Sequence, residues 1–374
     1  MPDQYTEVTR TGWGKRLGNS FGGILVGIIL FFASFGLLFW NEGRVDMSKV
    51  ADDATPINAT AEVDSSLNNT LVAVSGSLTT DDLLGDEYLR SSNYLELRRK
   101  VEVYAWVEKS ESESEVKLGG SEETKTTYSY VKEWVSSAPN SSNFKIPEGH
   151  SNVASTISES TITAKNVKVG NLSVDSSSLG MPGSDAITLS EEMLETLPYN
   201  AKLSGEYIYF GFSPTSPTIG DMRVTYNVSR SGVDVTVFGK LDGQNIKPFV
   251  DKDGKTLYRA TVGSFEQGVS QMSGEHKTST WLLRLVGFLM MWFGLYSVFG
   301  PLSILLDVLP IAGKISRSVV GMATFVVALV LSIVTIIVSM IIHSLLALVI
   351  VVVVGIAFTV WYIKKKGAKM AVKK

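Results

Sequence analysis

The stretch Ser318–Ile363 reads SVVGMATFVVALVLSIVTIIVSMIIHSLLALVIVVVVGIAFTVWYI and contains no charged residue. Three lysines follow it directly, at positions 364–366. A helix needs only about 20 apolar residues to cross a bilayer, so this stretch is long enough for two crossings. In lipid, a helix satisfies all of its own backbone hydrogen-bonding groups. We therefore expect two membrane helices, residues 319–342 and 344–363, joined by a tight turn at His343.

Two further apolar runs occur earlier in the chain, Phe21–Trp40 and Trp281–Gly300. The first run is longer than the core of a cleaved signal peptide, and no small-x-small cleavage site follows it. We therefore expect it to be a retained helix, with Trp40 as an interfacial anchor. Arg284 lies about one turn inside the second run and can extend its charged group to the headgroups. The sequence thus predicts four membrane helices, residues 21–40, 281–300, 319–342 and 344–363.

Basic residues flank the predicted helices in three places. They are Arg10, Lys15 and Arg16; Lys314 and Arg317; and Lys364, Lys365, Lys366, Lys369, Lys373 and Lys374. With four helices all three places fall on one side, which the positive-inside rule makes cytoplasmic. Residues 1–20 and the basic tail 364–374 are then cytoplasmic, residues 301–318 are cytoplasmic or interfacial, and residues 41–280 are extracytoplasmic. Whether Pro301–Pro310 extends the second helix or lies at the membrane surface stays open.

The long polar segment 41–280 contains several runs in which apolar and polar side chains alternate, as in half-buried β-strands. These runs are Leu71–Leu78, Tyr94–Glu108, Thr126–Val135, Asp221–Val228 and Val233–Leu241. The segment Lys109–Lys125 is rich in Glu, Ser and Gly and predicts a solvated hairpin loop. Val72–Leu78 and Val235–Leu241 share the pattern V-x-V-x-G-x-L, which is typical of an internal duplication or of two strands that end in similar turns. The predicted fold class is a multi-pass α-helical membrane protein with a large β-rich (α+β) extracytoplasmic domain between the first and second helices.

Small and hydroxylated residues recur on the predicted membrane helices, and such residues let helices approach closely. The packing candidates are Gly23, Gly27, Gly287, Gly294, Ser332 and Thr335. The alternative is a polar permeation path through the membrane. No acid or base lies on the face of the third predicted helix that carries Ser332 and Thr335, so the pattern favours packing.

No motif of enzyme chemistry is present in the sequence. The absence of cysteine excludes disulfides, thiolate metal sites and cysteine nucleophiles. H-E-x-x-H, Walker and G-x-G-x-x-G motifs are missing, and the domain's histidines, His150 and His276, lie far apart in the sequence. Asp251–Gly254 begins like a calcium loop but lacks the later ligands, so a β-turn is the better interpretation. We expect no catalytic residue, no cofactor and no metal site, and the near-balanced charge gives no sign of a nucleic-acid partner.

Four segments together resemble the transmembrane protein 43 (LUMA) family. They are Leu38–Arg44 (LFWNEGR), Leu97–Glu108 (LRRKVEVYAWVE), Pro217–Val224 (PTIGDMRV) and Leu306–Pro310 (LDVLP). The order of one helix, a large domain and three helices also matches, so the resemblance covers nearly the whole chain. The resemblance identifies these residues as the family's motif positions: Asn41, Glu42, Gly43, Arg44, Glu102, Trp106, Gly220, Asp221, Arg223 and Asp307.

The resemblance implies an integral membrane scaffold or organiser that associates with itself and binds other membrane proteins. The family is known chiefly from the endoplasmic reticulum and inner nuclear membrane of eukaryotes. The lack of cysteine and the compact lysine tail fit a prokaryotic member in the cell membrane, for which the nuclear partners would not carry over. The expected partners are the lipid bilayer, a second copy of the chain and other membrane proteins.

The motif residues also have a physical interpretation that is independent of the family. Asn41 and Glu42 can cap or terminate the first helix, Gly43 can supply a turn, and Arg44 can pair with Glu42 or with a phosphate. Arg223 can bridge to an acid across the sheet. We therefore expect these motif residues to have structural roles rather than to bind a ligand.

Two other functions remain as alternatives. A transporter or channel component would need acids or bases at membrane depth, and only Arg284 and Asp307 come near that. A membrane-tethered extracytoplasmic enzyme or ligand sensor would need a clustered site within residues 45–280.

Overall fold

The computed structural model describes residues 4–60, 64–308 and 310–344, together with positions 349 and 353. The helices are α1 (Trp13–Glu42), α2 (Met47–Asp52), α3 (Phe265–Leu306) and α4 (Pro310–His343). The strands are β1 (Gln4–Thr11), β2 (Thr55–Asn58), β3 (Leu71–Thr80), β4 (Tyr94–Val116), β5 (Glu122–Val135), β6 (Ser160–Thr163), β7 (Asn166–Val169), β8 (Leu172–Asp175), β9 (Asp185–Ala186), β10 (Ala201–Ser204), β11 (Tyr207–Phe210), β12 (Met222–Arg230), β13 (Val233–Asp242), β14 (Asn245–Lys247), β15 (Phe249–Val250), β16 (Thr256–Leu257) and β17 (Arg259–Val262).

The described residues fall into two compact units. The first contains residues 4–7, 46–112 and 125–276 and holds most of the strands. The second contains residues 8–45, 113–124 and 277–344 and holds the apolar helices. The predicted division into a β-rich segment and an apolar helical part is thus present.

Two larger sheets build the β-rich part. One has the order β1-β5-β4-β12-β11-β10, with β6 on β4 and β9 on β12. The other has the order β17-β13-β14-β8-β7-β3-β2, with β13 also paired to β3. One hydrophobic core takes side chains from both sheets, for example Val101 and Val224 from the first and Val74 and Val237 from the second. Burial of these apolar side chains is the main stabilising contribution.

A second apolar cluster covers the other face of the seven-stranded sheet. Ala51 from α2 and Met272 from the first turns of α3 pack with Phe238 and Ala73 of that sheet. The side chain of Asp46 caps α2 by accepting a hydrogen bond from the Ser48 amide at 3.1 Å, which satisfies an otherwise free donor. The polar residues that precede the predicted second helix are therefore helical, and α3 begins within the domain.

The two V-x-V-x-G-x-L segments lie on β3 and β13, which pair with each other in antiparallel register. Val74 opposes Val237, and the glycine of each segment opposes a valine of the other: Gly76 faces Val235 and Gly239 faces Val72. The two copies are thus related by a local twofold axis through the Val74–Val237 pair.

The hairpin of β4 and β5 is longer than expected. The sequence predicted a solvated loop over Lys109–Lys125, whereas the strands continue to Val116 and resume at Glu122. Gly119 and Gly120 make the turn with φ angles of +83° and +77°, a conformation that glycine adopts at little cost. The predicted loop was wrong because exposed polar residues can still pair along a ribbon.

Three described helices are long and apolar enough to cross a membrane: Trp13–Asp52, Phe265–Leu306 and Ser316–His343. They contain the predicted helices 21–40, 281–300 and 319–342, and each begins before the predicted first residue. The loop predicted over 301–318 is also largely helical, since α3 continues through Pro301 and α4 begins at Pro310. The fourth predicted helix, 344–363, and the tail 364–374 lie outside the continuously described residues, and the sidedness of the segments stays a prediction.

Candidate functional site

Residues Asn41–Arg44 close α1 and connect it to α3. Asn41 is fully buried, and its Nδ2 donates to the Thr280 carbonyl oxygen at 3.1 Å. Arg284 donates through Nε and a terminal nitrogen to the two Glu42 carboxylate oxygens, at 2.8 and 2.7 Å. Such a two-pronged pair fixes orientation as well as charge. The pair therefore holds α1 and α3 together at this end. We call residues 41–44 and the residues that contact them the Asn41–Arg44 site.

α4 completes the Asn41–Arg44 site with His343. The imidazole occupies the space beside Gly43, where any β-carbon would collide with the ring. The rings of His343 and Phe39 are 4.5 Å apart, and Ser339 Oγ donates to the Phe39 carbonyl oxygen at 3.1 Å. A side chain at position 43 would therefore have to displace the His343 ring. The sequence had placed His343 at a tight turn between two helices, and no sequence signal paired it with Gly43.

Arg44 makes a different set of contacts from Arg284. Its terminal nitrogens donate to Ser279 Oγ and Thr280 Oγ1, each at 3.0 Å. Its guanidinium lies 5.8 Å from the centre of the Trp40 ring. Glu42, one of the two partners that the sequence suggested for Arg44, is engaged by Arg284 instead.

A second charged cluster lies at the opposite end of α1. Arg16 donates to Asp307 Oδ2 at 2.8 Å, and Arg317 lies 3.2 Å from Asp307 Oδ1. Asp307 is completely buried, so the two arginines offset the cost of removing its charge from water. The family-motif acid is therefore paired with residues that the sequence analysis counted only as flanking basic charges.

The turn of the β4–β5 hairpin also contacts Arg16. Arg16 donates to the Gly120 carbonyl oxygen at 2.6 Å and to Glu122 at 3.1 Å. A side chain at Gly120 would collide with the Trp13 ring. We call this group of charged residues the Arg16 cluster; its members are Arg16, Glu122, Asp307 and Arg317. The cluster joins three separate segments of the chain.

Two motif residues of the domain pair with each other. Arg223 on β12 stands opposite Glu102 on β4 in the strand register, and its Nε donates to the Glu102 carboxylate at 2.6 Å. The guanidinium also lies 4.8 Å from the centre of the Trp134 ring. The cross-sheet acid partner suggested for Arg223 is therefore Glu102.

Asp221 organises the turn that leads into β12. Its carboxylate accepts from the Tyr209 hydroxyl at 2.5 Å and from the Thr218 amide at 2.8 Å. Burial and the bond to this carboxylate raise the pKa of Tyr209 above its ordinary value. Gly220 has φ +96°, which few other residues adopt. These contacts fit a structural role for the Gly220-Asp221 pair.

Trp106 forms an aromatic cluster with two other residues. The rings of Trp106 and buried His150 are 4.8 Å apart and perpendicular, and His150 stacks on Tyr130 at 3.9 Å. Lys132 lies 4.7 Å from the centre of the Trp106 ring. The described arrangement places His150 in an aromatic stack.

The predicted helix-packing residues have unequal environments. A β-carbon at Gly27 would lie 2.7 Å from the Gly294 carbonyl oxygen, and one at Gly287 would lie 2.5 Å from Leu38. Ser332 Oγ is 3.4 Å from Met291 sulfur. In contrast, nothing in the described structure lies within 4 Å of a β-carbon at Gly23, and Thr335 bonds to the Leu331 carbonyl of its own helix.

A buried polar network in the domain had no signal in the sequence. The Tyr226 hydroxyl lies 2.8 Å from one oxygen of the Asp86 carboxylate, and Arg99 donates to the other at 3.0 Å. Burial and the nearby carboxylate raise the pKa of Tyr226. A strand arginine and a loop acid become recognisable as partners only once the fold is known.

The part of the chain that the structure describes shows few features of an enzyme active site. No group of three or more His, Asp or Glu side chains there is placed to hold a metal ion. One cavity of about 390 Å³ lies beside Val101 and is lined mainly by serine and alanine, with Glu159 at its edge. These observations give no assembled set of acid, base and nucleophile.

An apolar helical bundle with buried charged pairs at its ends, joined in one chain to a two-sheet domain, defines a membrane protein with a folded polar domain. The chain belongs to the transmembrane protein 43 family, whose model matches residues 103–345. It is 32% identical over 321 residues to transmembrane protein 43 of Homo sapiens, which covers 81% of this chain and 80% of the relative.

Two other relatives show the same relationship. Identity to transmembrane protein 43 of Mus musculus is 31% over 325 residues, covering 82% of this chain and 80% of the relative. Identity to the Drosophila melanogaster homologue is 27% over 287 residues, covering 72% and 74%. No solved structure matches the chain significantly.

Proposed function

We propose that this protein is a non-enzymatic membrane scaffold that associates with itself through the outer face of α1. Gly14, Gly18, Gly22 and Gly36 fall on one stripe of the helix at 3.6 residues per turn. The described structure leaves the space around each of them open. The buried positions of α1, among them Gly27, Ser34 and Leu38, lie on the opposite face. This open glycine stripe is the observation that carries the proposal.

Close packing holds helices together in lipid. Lipid tails are as apolar as leucine, so helices associate through close van der Waals packing between small residues. On the inner face of α1, Gly27 already serves this purpose against Gly294. The outer stripe offers the same close approach to a second copy or to another membrane protein.

The paired motif residues support the same reading. Glu42 pairs with Arg284, Glu102 with Arg223, and Asp307 with Arg16. Residues engaged in fixed ion pairs stabilise the folded structure, whereas a catalytic acid or base must exchange protons with a substrate. The transporter alternative has less support, because Arg284 and Asp307, the charged residues that it would use, are already in ion pairs with Glu42 and Arg16.

The test is the mass of the full chain in lipid nanodiscs, measured by native mass spectrometry. We expect a defined oligomer for the wild type and a monomer for Gly18→Leu/Gly22→Leu, because leucine at these positions blocks close approach. Gly274→Leu on α3, another open glycine, is the matched control and should leave the oligomer intact. A wild-type monomer, or an oligomer unaffected by the double substitution, would overturn the proposal.

A further inference from the structure

We propose that the cavity beside Val101 binds a small hydroxylated amine with the dimensions of one amino sugar ring. The cavity has a volume of about 390 Å³, which lies at the lower end of the range for small-molecule sites. Its walls come from β4, from residues 136–138 after β5 and from part of the segment 154–159 before β6. All of these segments belong to the β-rich unit, so the site lies within one folded domain.

The cavity lies where one edge of β4 changes its neighbour from β5 to β6. β12 occupies the opposite edge of β4. The pairing of β6 with β4 ends at Arg99. Near the end of β5, the Trp134 ring lies 5.1 Å from the ring of Tyr104 on β4. Val101 falls between these two positions, so the chain that connects β5 to β6 leaves a concave surface there.

Apolar side chains form one part of the lining. Val101 and Ile157 are buried and belong to the core between the two sheets, and Ala138 is partly buried against the same core. Ala154 also lines the cavity. A surface of this kind suits the C–H groups of a sugar ring, because removing apolar area from water is favourable.

The polar part of the lining consists of serine hydroxyls and one carboxylate. The hydroxyls of Ser136, Ser137 and Ser158 make no hydrogen bond within the described residues, whereas Ser155 Oγ donates to the Ile157 carbonyl oxygen at 2.6 Å. They are therefore available to a ligand as donors and as acceptors.

Glu159 gives the cavity its charge. It is the only charged residue among the described residues of the lining, and its carboxylate makes no ion pair in the described part of the chain. The nearby Arg99 donates to the Ser158 carbonyl oxygen at 3.0 Å, but its charge is paired with Asp86 and Glu87. The cavity thus offers one carboxylate to a cation.

These groups together select the chemistry of the ligand. An ammonium group would donate to the Glu159 carboxylate in a charge-assisted hydrogen bond. Ligand hydroxyls would pair with the serine hydroxyls, since each can donate and accept. An anion would be repelled by Glu159, and a purely apolar molecule would leave the hydroxyls unpaired at a cost. An amino sugar combines the ammonium, the hydroxyls and an apolar ring face.

Ligand-observed saturation-transfer NMR with the full chain in lipid nanodiscs tests the proposal, with glucosamine and glucose as probes. Glucose lacks the ammonium and should bind roughly tenfold more weakly, the loss expected for one hydrogen bond to a charged group. Glu159→Gln should weaken glucosamine binding by the same factor and leave the Kd of glucose unchanged, which also shows that the variant is folded. Equal Kd values for the two sugars in the wild type, or no effect of Glu159→Gln on glucosamine, would overturn the proposal.

Two further variants separate this cavity from general charge attraction and from binding elsewhere. Glu206→Gln removes an exposed charge between β10 and β11 of the same domain and should leave the Kd of glucosamine unchanged. Ala154→Trp fills the cavity and should abolish the binding of both sugars while the far-UV circular dichroism stays that of the wild type. Equal losses in Glu206→Gln and Glu159→Gln would overturn the proposal, as would undiminished glucosamine binding by Ala154→Trp.

Discussion

At the scale of single residues, the Glu42–Arg284 ion pair is sensitive to substitution of either partner. Both side chains are largely buried, so removing one partner leaves the other charge without compensation. We expect Glu42→Gln to lower the free energy of unfolding by about 3 kcal/mol. Glu42→Gln/Arg284→Met should recover much of that loss, because no lone charge remains. Tryptophan-fluorescence unfolding in detergent measures both, and wild-type stability of the single variant would refute the expectation.

Asp221 gives a second prediction for a single residue. The Tyr209 hydroxyl and the Thr218 amide both donate to the same oxygen of Asp221, Oδ2. Asp221→Asn can keep an oxygen at this position, but it loses the negative charge that strengthens both bonds. We expect a loss of about 1 to 2 kcal/mol in the free energy of unfolding. Asp253→Asn, at an exposed position, is the control and should change stability little. If both variants unfold like the wild type, the turn does not depend on this carboxylate.

The sequence anticipates roles at this scale better than partners. It suggests that Arg223 pairs across the sheet, but the choice of Glu102 follows from the register of β4 and β12. It offers Arg44 two partners, and only the structure shows that Arg284 occupies Glu42. Arg16 looks like one more flanking charge because its partners, Glu122 and Asp307, are 106 and 291 residues away.

At the scale of elements, two glycines of α1 provide a matched pair. A β-carbon at Gly27 would lie 2.7 Å from the Gly294 carbonyl oxygen, whereas one at Gly23 would meet nothing within 4 Å in the described structure. We therefore expect Gly27→Leu to separate α1 from α3 and lower the melting temperature, while Gly23→Leu has little effect. Overpacking typically costs about 1 to 3 kcal/mol. Equal melting temperatures for the two variants would contradict this packing.

Asp82 ties the segment after β3 to the start of β7 and predicts a pH dependence. Its carboxylate accepts from the Lys165 and Asn166 amides at 2.6 and 2.9 Å. The backbone bond from Asn166 is the main cause that lowers the pKa of Asp82. Because the folded-state pKa is the lower one, the carboxylate stabilises the fold above its unfolded-state pKa. This contribution is lost as the pH falls through the folded-state value.

The measurement for Asp82 is the melting temperature of wild type and Asp82→Asn from neutral pH to about pH 3, below the ordinary aspartate value. The wild type should melt higher at neutral pH, and the difference should shrink as the pH falls. A difference that stays constant over this range would show that the Asp82 charge is not involved.

The elements predicted from sequence succeed where one face is buried. Alternation locates β3 and β12 well because their inner faces fill the shared core. It misses the outer half of the β4–β5 hairpin, where residues 110–115 are exposed on both faces and no burial pattern exists. The polar first turn of α1 was missed for a similar reason, since hydropathy reports the apolar part of a helix and not its ends.

At the scale of the whole molecule, the twofold relation between β3 and β13 explains why two distant segments share a pattern. Each copy places a glycine opposite a valine of the other, so equivalent positions face equivalent neighbours. The sequence alone leaves duplication and coincidence equally open, because strand pairing is not visible in it. The pairing shows that the shared pattern fills symmetric positions in one sheet.

The Arg16 cluster bears on the sidedness of the chain. The basic flanks predict residues 1–20 and 41–280 on opposite sides, yet Arg16 contacts Gly120 and Glu122. Polar strands do not pass through lipid, so that contact requires one shared side. Because the chain lacks cysteine, Thr9→Cys and Leu118→Cys can each be labelled alone. We expect a membrane-impermeant maleimide to label both from the same side, and labelling from opposite sides would show that the contact does not form in the bilayer.

The Arg16 cluster also has a consequence for the order in which the molecule is made. Glu122 follows Arg16 by 106 residues and Asp307 follows it by 291. At a synthesis rate of roughly 5 to 20 residues per second, Asp307 emerges about 15 to 60 seconds after Arg16. Glu122 is available well before that, so the acidic hairpin turn is the earlier partner for the Arg16 charge. α1 is thus among the first elements to leave the ribosome and among the last to have all of its partners.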